Sequence, residues 1–186
     1  MIYQDTWTKG KAAEKGYREC AARYEIVKAF CERFSGPFTV CDIGANMCYF
    51  GLRLTEDFPS CSVMAFEFDH FAMRQAHVAK TERLILLNRK LSIKDIRELS
   101  HFCRFDVVLA MSVMHHLPGD SGEWLEAFRI LGRNIIAEFA GNDSARPAIR
   151  KGYGVPSDAV VLGYGGSHLK QDFQRPIVLI SSKENA

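Results

Sequence analysis

The stretch Val40-Cys41-Asp42-Ile43-Gly44-Ala45-Asn46-Met47-Cys48-Tyr49-Phe50-Gly51 decides the fold expected for the chain. It starts as an apolar strand, passes through an acidic residue and a glycine turn, and ends in a segment with helical periodicity. Gly44 lets the backbone approach another group closely, and Asn46 tolerates the positive φ of a tight turn. Cys48 stands where a further glycine would be usual. We expect the loop backbone to follow the same path as in loops with more glycines, although Asn46 and Cys48 give it different side chains.

Outward from this stretch, apolar runs bounded by turn signals alternate with helical patterns, which is typical of a parallel α/β sheet. The sequence predicts a Rossmann-like, doubly wound, seven-stranded and mostly parallel sheet with helices on both faces. Its last strand is expected to run antiparallel. The predicted strands are 38–43, 61–66, 84–88, 105–111, 134–139, 160–162 and 176–181, and the predicted helices between them are 47–56, 71–80, 92–100 and 122–131. Ser92 is the predicted N-cap of the third of these helices.

Upstream of the sheet, residues 11–34 have helical character that Gly16 interrupts, and this predicts two helices. The chain of 186 residues suits one domain. We therefore expect a single domain over residues 1–186, with an N-terminal helical cap over 1–35 and a Rossmann-like core over 36–182.

Composition narrows the class of protein. With 24 basic and 22 acidic residues the net charge is +2, which disfavours a nucleic-acid binder. The six cysteines form no C-x-x-C pair, so we expect reduced thiols in a cytoplasmic protein. No apolar run approaches the roughly 20 residues of a membrane span, and no signal peptide is expected. The oligomeric state stays open.

Ligands of open α/β sheets bind outside the carboxyl ends of the strands. Glu67 ends the second predicted strand, 23 residues after Gly44. A carboxylate there is suited to accept hydrogen bonds from both hydroxyls of a ribose; the alternative is a helix N-cap, a role that Asp69 also suits. Tyr49 is expected to crowd a diphosphate, so the loop favours a cofactor with a ribose and no phosphate. S-adenosylmethionine fits that description.

A second stretch, Phe105-Asp106-Val107-Val108-Leu109-Ala110-Met111-Ser112-Val113-Met114-His115-His116-Leu117, is close to the pattern FDVVLALSVLHHL. That pattern is common in class I S-adenosylmethionine-dependent methyltransferases, which the chain resembles over roughly residues 36–182. The segment 42–46 resembles the family's first motif, and Glu67 matches its ribose-binding acid. The resemblance implies S-adenosylmethionine as cofactor, with binding residues Asp42, Gly44, Ala45, Asn46, Glu67, Phe68, Ala110 and Met111.

The adjacent His115 and His116 follow the fourth predicted strand on the ligand edge of the sheet. A histidine is suited to remove a proton from a hydroxyl or amine acceptor at neutral pH. Since neighbouring residues usually point in different directions, we expect at most one of them to face the substrate. The alternative is that one packs under the loop while the other caps the next helix. Because neither has further ligands at metal-binding spacing, we expect no metal.

The segments 162–169 and 175–177 resemble methyltransferases of polysaccharide biosynthesis, including the O-antigen chain-terminating type. This resemblance favours O-methylation of a sugar or a similar hydroxyl compound, with a small molecule or a glycan as acceptor. Two alternatives remain: a catalytically weak methyltransferase-like subunit that supports a partner, and a nucleic-acid methyltransferase. N- or C-methylation, and an effect of Cys48 on cofactor affinity, also stay open.

Overall fold

The computed structural model describes residues 2–8, 10–79, 81–140, 154–166 and 174–182. A 3-10 helix at Met114–His116 precedes the α-helix Ser121–Leu131. The other elements in chain order are β1 (Thr6–Thr8), β2 (Lys11–Glu14), α1 (Ala21–Cys31), β3 (Phe38–Ile43), α2 (Tyr49–Asp57), β4 (Cys61–Glu67), α3 (His70–Ala79), β5 (Leu84–Asn88), α4 (Ile93–Ser100), β6 (Phe105–Ala110), α5 (Ser121–Leu131), β7 (Gly132–Glu138), β8 (Val160–Gly166) and β9 (Gln174–Ser181).

Seven strands form one sheet in the order β5-β4-β3-β6-β7-β9-β8. The pairs β3–β4, β4–β5 and β6–β7 are parallel, whereas β9 runs antiparallel to both β7 and β8. The predicted Rossmann-like fold, with its antiparallel last strand, is confirmed. The two predicted strands near the C-terminus do pair with each other, and the first of them extends to Gly166.

The chain divides into two compact units, Met1–Lys90 and Leu91–Ala186. In the first unit, β3 aligns with β4 so that Val40 lies opposite Val63, and both side chains are buried. Helix α2 buries its apolar face, including Leu52 and Leu54. A strand with such a continuous apolar sequence is stable only when both faces are covered. This core fixes the carboxyl ends of β3 and β4. The loop between β3 and α2 starts at the first of these ends.

The N-terminal segment corrects one prediction. Residues 11–14 form a strand that pairs with β1, where the first of two helices was expected; the second helix is α1. Gly10 turns the hairpin at φ +76°, and the Glu14 amide donates to Thr6 Oγ1 at 2.9 Å. Gly16 allows its backbone to pack directly against that of Gln4, because a Cβ at position 16 would lie 2.3 Å from the Gln4 backbone. Tertiary contacts therefore override the helical propensity of this segment.

In the second unit, β6 and β7 are parallel strands whose residues are mostly buried. Helix α4 begins with a capping box between Ser92 and Asp95, in agreement with the predicted N-cap. The N-cap of helix α5 is Asp120, whose side chain accepts from the amides of Gly122 and Glu123. These caps fix where each helix starts after its strand.

Part of the predicted polysaccharide-type segment, residues 167–169, lies outside the described residues. Among the residues that are described, no helix is long and apolar enough to cross a membrane. The cytoplasmic location stays a prediction.

Candidate functional site

The loop after β3 follows a tight path through three positive φ angles. Gly44 has φ +71°, Asn46 has φ +51° and Cys48 has φ +57°, and α2 begins at the next residue. The amides of Gly44 and Ala45 donate to the Phe66 carbonyl at 2.9 and 3.0 Å. Asn46 therefore supplies the left-handed conformation that the sequence predicted for it. These two bonds hold the loop to the end of β4, although only one of its three positive-φ residues is glycine.

Glu67 holds this loop from the neighbouring strand. Its Oε2 accepts from the Asn46 amide at 2.8 Å, and its Oε1 accepts from the amides of Phe68 and Asp69 at 2.7 and 2.8 Å. A carboxylate has about four acceptor positions, so one position remains on Oε2. If Glu67 accepts from both ribose hydroxyls, as expected, one of its three hydrogen bonds to backbone amides must break. The N-cap of α3 is Asp69, whose Oδ1 accepts from Phe71 at 2.8 Å.

Two acceptor atoms of the loop face no donor among the described residues. They are Asp42 Oδ2 and Asn46 Oδ1, and both atoms are buried. Burial raises the pKa of Asp42 to about 7, and the negative charge of Glu67 adds to the shift. Leaving buried acceptors without donors is costly. The loop therefore offers two polar atoms that suit a ligand with N–H or O–H groups.

Cys48 and Tyr49 are both buried. Cys48 is fully buried, and a Cβ built on Gly51 would lie 2.8 Å from its Sγ. Burial raises the pKa of this thiol well above its usual value. The Tyr49 ring is buried between Trp7 and Tyr24, at centroid distances of 5.7 and 6.3 Å. The expectation that Tyr49 crowds a diphosphate is therefore wrong, because its ring is committed to the protein interior.

Phe68 directly follows Glu67, and its ring is exposed. The side chain is 59% exposed, and Lys90 Nζ lies 5.5 Å from the ring centroid. An exposed ring directly after a ribose-type acid suits a planar heterocycle, because aromatic faces stack. This geometry fits the predicted cofactor role of Phe68.

Aromatic residues of the N-terminal segment pack around an arginine of α2, and the sequence reasoning missed this arginine. The Arg53 guanidinium on α2 lies 3.8 Å from the centroid of Tyr24 and 4.6 Å from that of Trp7. Trp7 Nε1 donates to Glu56 at 2.6 Å, which ties the β1–β2 hairpin to α2. The hairpin borders a cavity of about 220 Å³ that Met47 of the loop also lines. An isolated arginine in a helical pattern carries no sequence signal for such stacking.

In the second unit, the loop after β6 carries the two histidines. Ala110 and Met111 are buried at the end of the strand. His115 is half-buried and His116 is exposed in the 3-10 helix. Their rings lie side by side, with centroids 4.0 Å apart at 44°. The two imidazoles therefore share one location instead of pointing apart, as neighbouring residues were expected to do.

Ser112 connects this loop to two other strands. Its Oγ donates to Glu138 Oε2 at 2.7 Å, and Arg175 Nη1 donates to Ser112 Oγ at 3.4 Å. All three side chains are buried. Glu138 ends β7, and the sequence reasoning gave no site role to Ser112 or Arg175. A lone serine in an apolar run gives no sign of the φ of +58° that it adopts.

The predicted site residues thus fall into two groups. One group surrounds the loop after β3, and the other follows β6. The first contains Asp42, Gly44, Ala45, Asn46, Glu67 and Phe68, and the second contains Ala110, Met111, His115 and His116.

Solved structures with the same architecture include several methyltransferases. The bifunctional kinase-methyltransferase WbdD superposes with a TM-score of 0.72 at 18% identity, over 90% of this chain and 41% of that one. The chain has the fold of S-adenosylmethionine-dependent methyltransferases. It spans about two fifths of the length of WbdD. No family model and no curated protein sequence matches the chain.

Two further structures of this fold hold the cofactor or its product. Magnesium protoporphyrin IX methyltransferase (ChlM) from Synechocystis PCC 6803, with bound S-adenosylmethionine, has a TM-score of 0.58 at 13% identity, over 86% of this chain and 76% of that one. The N-terminal domain of EvdMO1, with bound S-adenosylhomocysteine, has a TM-score of 0.64 at 15% identity, over 97% and 91%. At these identities the likeness establishes the fold.

Proposed function

We propose that the protein is an S-adenosylmethionine-dependent methyltransferase. The observation that carries the proposal is the loop after β3, where Asp42 Oδ2 and Asn46 Oδ1 are buried without a donor among the described residues. In a fold whose neighbours include structures with S-adenosylmethionine or S-adenosylhomocysteine bound, these atoms suit a cofactor rich in donor groups.

Three parts of the cofactor have matching groups in the first unit. Asp42 and Asn46 supply acceptors for the amino group of the methionine portion. Glu67 offers the remaining acceptor position of Oε2 to a ribose hydroxyl. Phe68 offers its exposed ring to the adenine. Gly44, with no side chain and φ +71°, lets the cofactor approach the backbone closely.

S-adenosylmethionine, when bound, supplies an activated methyl group on a good leaving group. The protein's remaining work is to align an acceptor and to remove its proton. The imidazoles of His115 and His116 adjoin each other after β6, and a neutral ring nitrogen accepts a proton from a hydroxyl. We assign the base to this pair.

The acceptor that we propose is a sugar or a similar hydroxyl compound, methylated on oxygen. Support comes from the likeness of residues 162–166 and 175–177 to methyltransferases of polysaccharide biosynthesis. Residues 175–177 lie in β9, where Ile177 is opposite Glu138 of β7. Residues 162–166 lie in β8, the edge strand that pairs with β9. A histidine base suits a hydroxyl, which must lose its proton on methylation.

The test has two parts. Titration calorimetry with S-adenosylmethionine, and with NAD in a parallel cell, measures cofactor choice. Formation of S-adenosylhomocysteine is then measured against glycans, small phenols, amines and RNA. His115→Ala, His116→Ala and the control His101→Ala are compared with the wild type; His101 is an exposed residue at the end of α4. If a histidine is the base, one of the first two changes lowers turnover by roughly 10²–10⁴-fold, while cofactor affinity and the control stay at wild-type values.

Each alternative has its own outcome. Binding of NAD in place of S-adenosylmethionine overturns the class. Cofactor binding without turnover on any acceptor favours the supporting-subunit alternative. Binding to RNA that falls steeply with salt favours a nucleic-acid methyltransferase. Full turnover in both histidine variants leaves the class intact and shows that alignment alone drives the transfer.

A further inference from the structure

The loop that carries the two histidines contains a backbone conformation that its sequence does not favour. Ser112 has φ +58°, a left-handed conformation that only glycine adopts without strain. It stands between the end of β6 and the 3-10 helix. A non-glycine residue keeps such a conformation when its surroundings over-determine it. The surroundings of Ser112 therefore need an explanation.

Two buried charged side chains, a carboxylate and a guanidinium, form hydrogen bonds with the Ser112 hydroxyl. Ser112 Oγ donates to Glu138 Oε2 at 2.7 Å and accepts from Arg175 Nη1 at 3.4 Å. Glu138 is 0% exposed and Arg175 is 1% exposed. A hydroxyl that donates to a carboxylate and accepts from a guanidinium has its orientation set from two sides, and such charge-assisted bonds are the strong ones.

The strand register explains why the acid and the base meet. Glu138 lies opposite Ile177 in the antiparallel pair of β7 and β9. Arg175 is two residues before Ile177, so its side chain is on the same face of the sheet, at the diagonal position to Glu138. Buried charges are retained where they are compensated. The sheet therefore presents a matched pair of charges to the Ser112 hydroxyl.

We propose that Glu138 and Arg175 are positioning residues, which through Ser112 set the direction of the 3-10 helix that carries both histidines. Neither residue takes part in the chemistry. They fix the residue from which the 3-10 helix departs, and a change in the Ser112 backbone angles would reorient that helix and its two histidines. The catalytic meaning of this arrangement rests on the proposed function, in which a histidine is the base.

The test uses the full chain and does not depend on turnover. Protein with isotope-labelled histidine is compared in ¹H–¹³C correlation spectra of the imidazole rings, with peaks assigned from the His115→Ala and His116→Ala variants. Ser112→Gly keeps the left-handed backbone available and removes the hydroxyl. Glu138→Gln keeps the shape and removes the charge. The matched control is Ser182→Ala, which removes another buried serine hydroxyl of the same unit, held by Arg104 at 2.9 Å.

We expect Ser112→Gly and Glu138→Gln each to move the peaks of His115 and His116 by more than a linewidth, while the His101 peak stays in place. Ser182→Ala is expected to move neither of the two peaks, although it lowers the melting temperature. Glu138 acts through the Ser112 hydroxyl, so the double variant Ser112→Gly/Glu138→Gln should show the same peak shifts as each single variant, not their sum. Where an acceptor is known, turnover should fall roughly 10–100-fold, with cofactor affinity unchanged.

Unmoved histidine peaks in a folded Ser112→Gly protein overturn the proposal, because the network then stabilises the fold only. Additive shifts in the double variant also overturn it, since they mean that Ser112 and Glu138 act separately. If Glu138→Gln does not fold, Ser112→Gly decides the question alone. Lack of methyl transfer by the wild type counts against the proposed function and leaves the spectra, and so this test, unaffected.

Discussion

The loop after β3 and the loop after β6 follow the same plan and are held in different ways. Each leaves the carboxyl end of a buried parallel strand, and each contains a polar non-glycine residue at positive φ, Asn46 in the first and Ser112 in the second. The first loop is held through its backbone, by the Phe66 carbonyl and the Glu67 carboxylate. The second is held through a side chain, the Ser112 hydroxyl.

The difference bears on what each loop has to offer a ligand. Backbone bonds leave the side chains of the first loop uncommitted, and Asp42 Oδ2 and Asn46 Oδ1 meet no donor among the described residues. In the second loop the Ser112 hydroxyl is used both as a donor and as an acceptor. A loop with open acceptors is suited to binding, and a loop with a committed hydroxyl is suited to holding a neighbouring group in place.

The largest effect should come from removing the carboxylate that holds the first loop. Glu67→Ala deletes the acceptor of three backbone amides at once. We expect the free energy of unfolding to fall by about 2–4 kcal/mol, because three charge-assisted hydrogen bonds are lost and their part-buried amide donors lose their acceptor. Cofactor affinity should fall as well. Urea denaturation and titration calorimetry measure the two quantities.

Glu67→Gln is the matched control for this change. It keeps one acceptor oxygen and should lie between the wild type and Glu67→Ala in both measurements. If Glu67→Ala lowers affinity and leaves stability unchanged, Glu67 serves the cofactor alone and the first loop is held by other contacts. That result would remove the main distinction between the two loops.

A second prediction concerns the pH dependence of stability. The pKa of Asp42 is raised to about 7, first by burial and then by the charge of Glu67, whereas an unfolded aspartate titrates near 3.9. Between these values the folded chain holds a proton that the unfolded chain has released. The contribution of Asp42 is therefore fully present below about pH 4 and is lost as the pH rises through about 7.

The comparison of wild type with Asp42→Asn isolates this contribution. From pH 4 to pH 8 the wild type should lose on the order of 1–4 kcal/mol of unfolding free energy relative to the variant, measured by chemical denaturation at each pH. The ionised carboxylate suits the cofactor's amino group, so wild-type affinity should rise over the same range while that of Asp42→Asn stays flat. Parallel stability curves for the two proteins would show that Asp42 titrates normally.

The sequence predicted the architecture well because apolar periodicity and turn residues act locally. The strands of the sheet begin and end within a few residues of their predicted positions, and the Ser92 cap is where it was expected. The N-terminal hairpin was missed for a physical reason. Residues 11–14 favour a helix, and only the pairing with β1 and the anchoring of Gly10 and Trp7 by Glu56 make them a strand.

The place of the candidate site could be read from the sequence, and its contacts could not. Asp42, Asn46 and Glu67 stand at or just after the carboxyl ends of predicted strands, which is visible in the sequence. The three amide bonds that occupy Glu67 and the burial of the Tyr49 ring depend on packing. The cross-strand meeting of Ser112, Glu138 and Arg175 depends on sheet register, and separations of 26 and 63 residues leave no pattern to detect.

The smallest effect should come from Asn46, where backbone and side chain can be separated. Asn46 has φ +51°, so Asn46→Gly should be more stable than Asn46→Ala by roughly 0.5–1 kcal/mol, since only glycine enters this conformation without strain. Both variants lose the amide oxygen. If Asn46 Oδ1 awaits the cofactor, both should bind S-adenosylmethionine about 3–10-fold more weakly, the loss of one hydrogen bond. Thermal unfolding measures the first difference and calorimetry the second. Unchanged affinity in Asn46→Gly would show that this open acceptor serves no ligand, and the two loops would then differ only in how they are held.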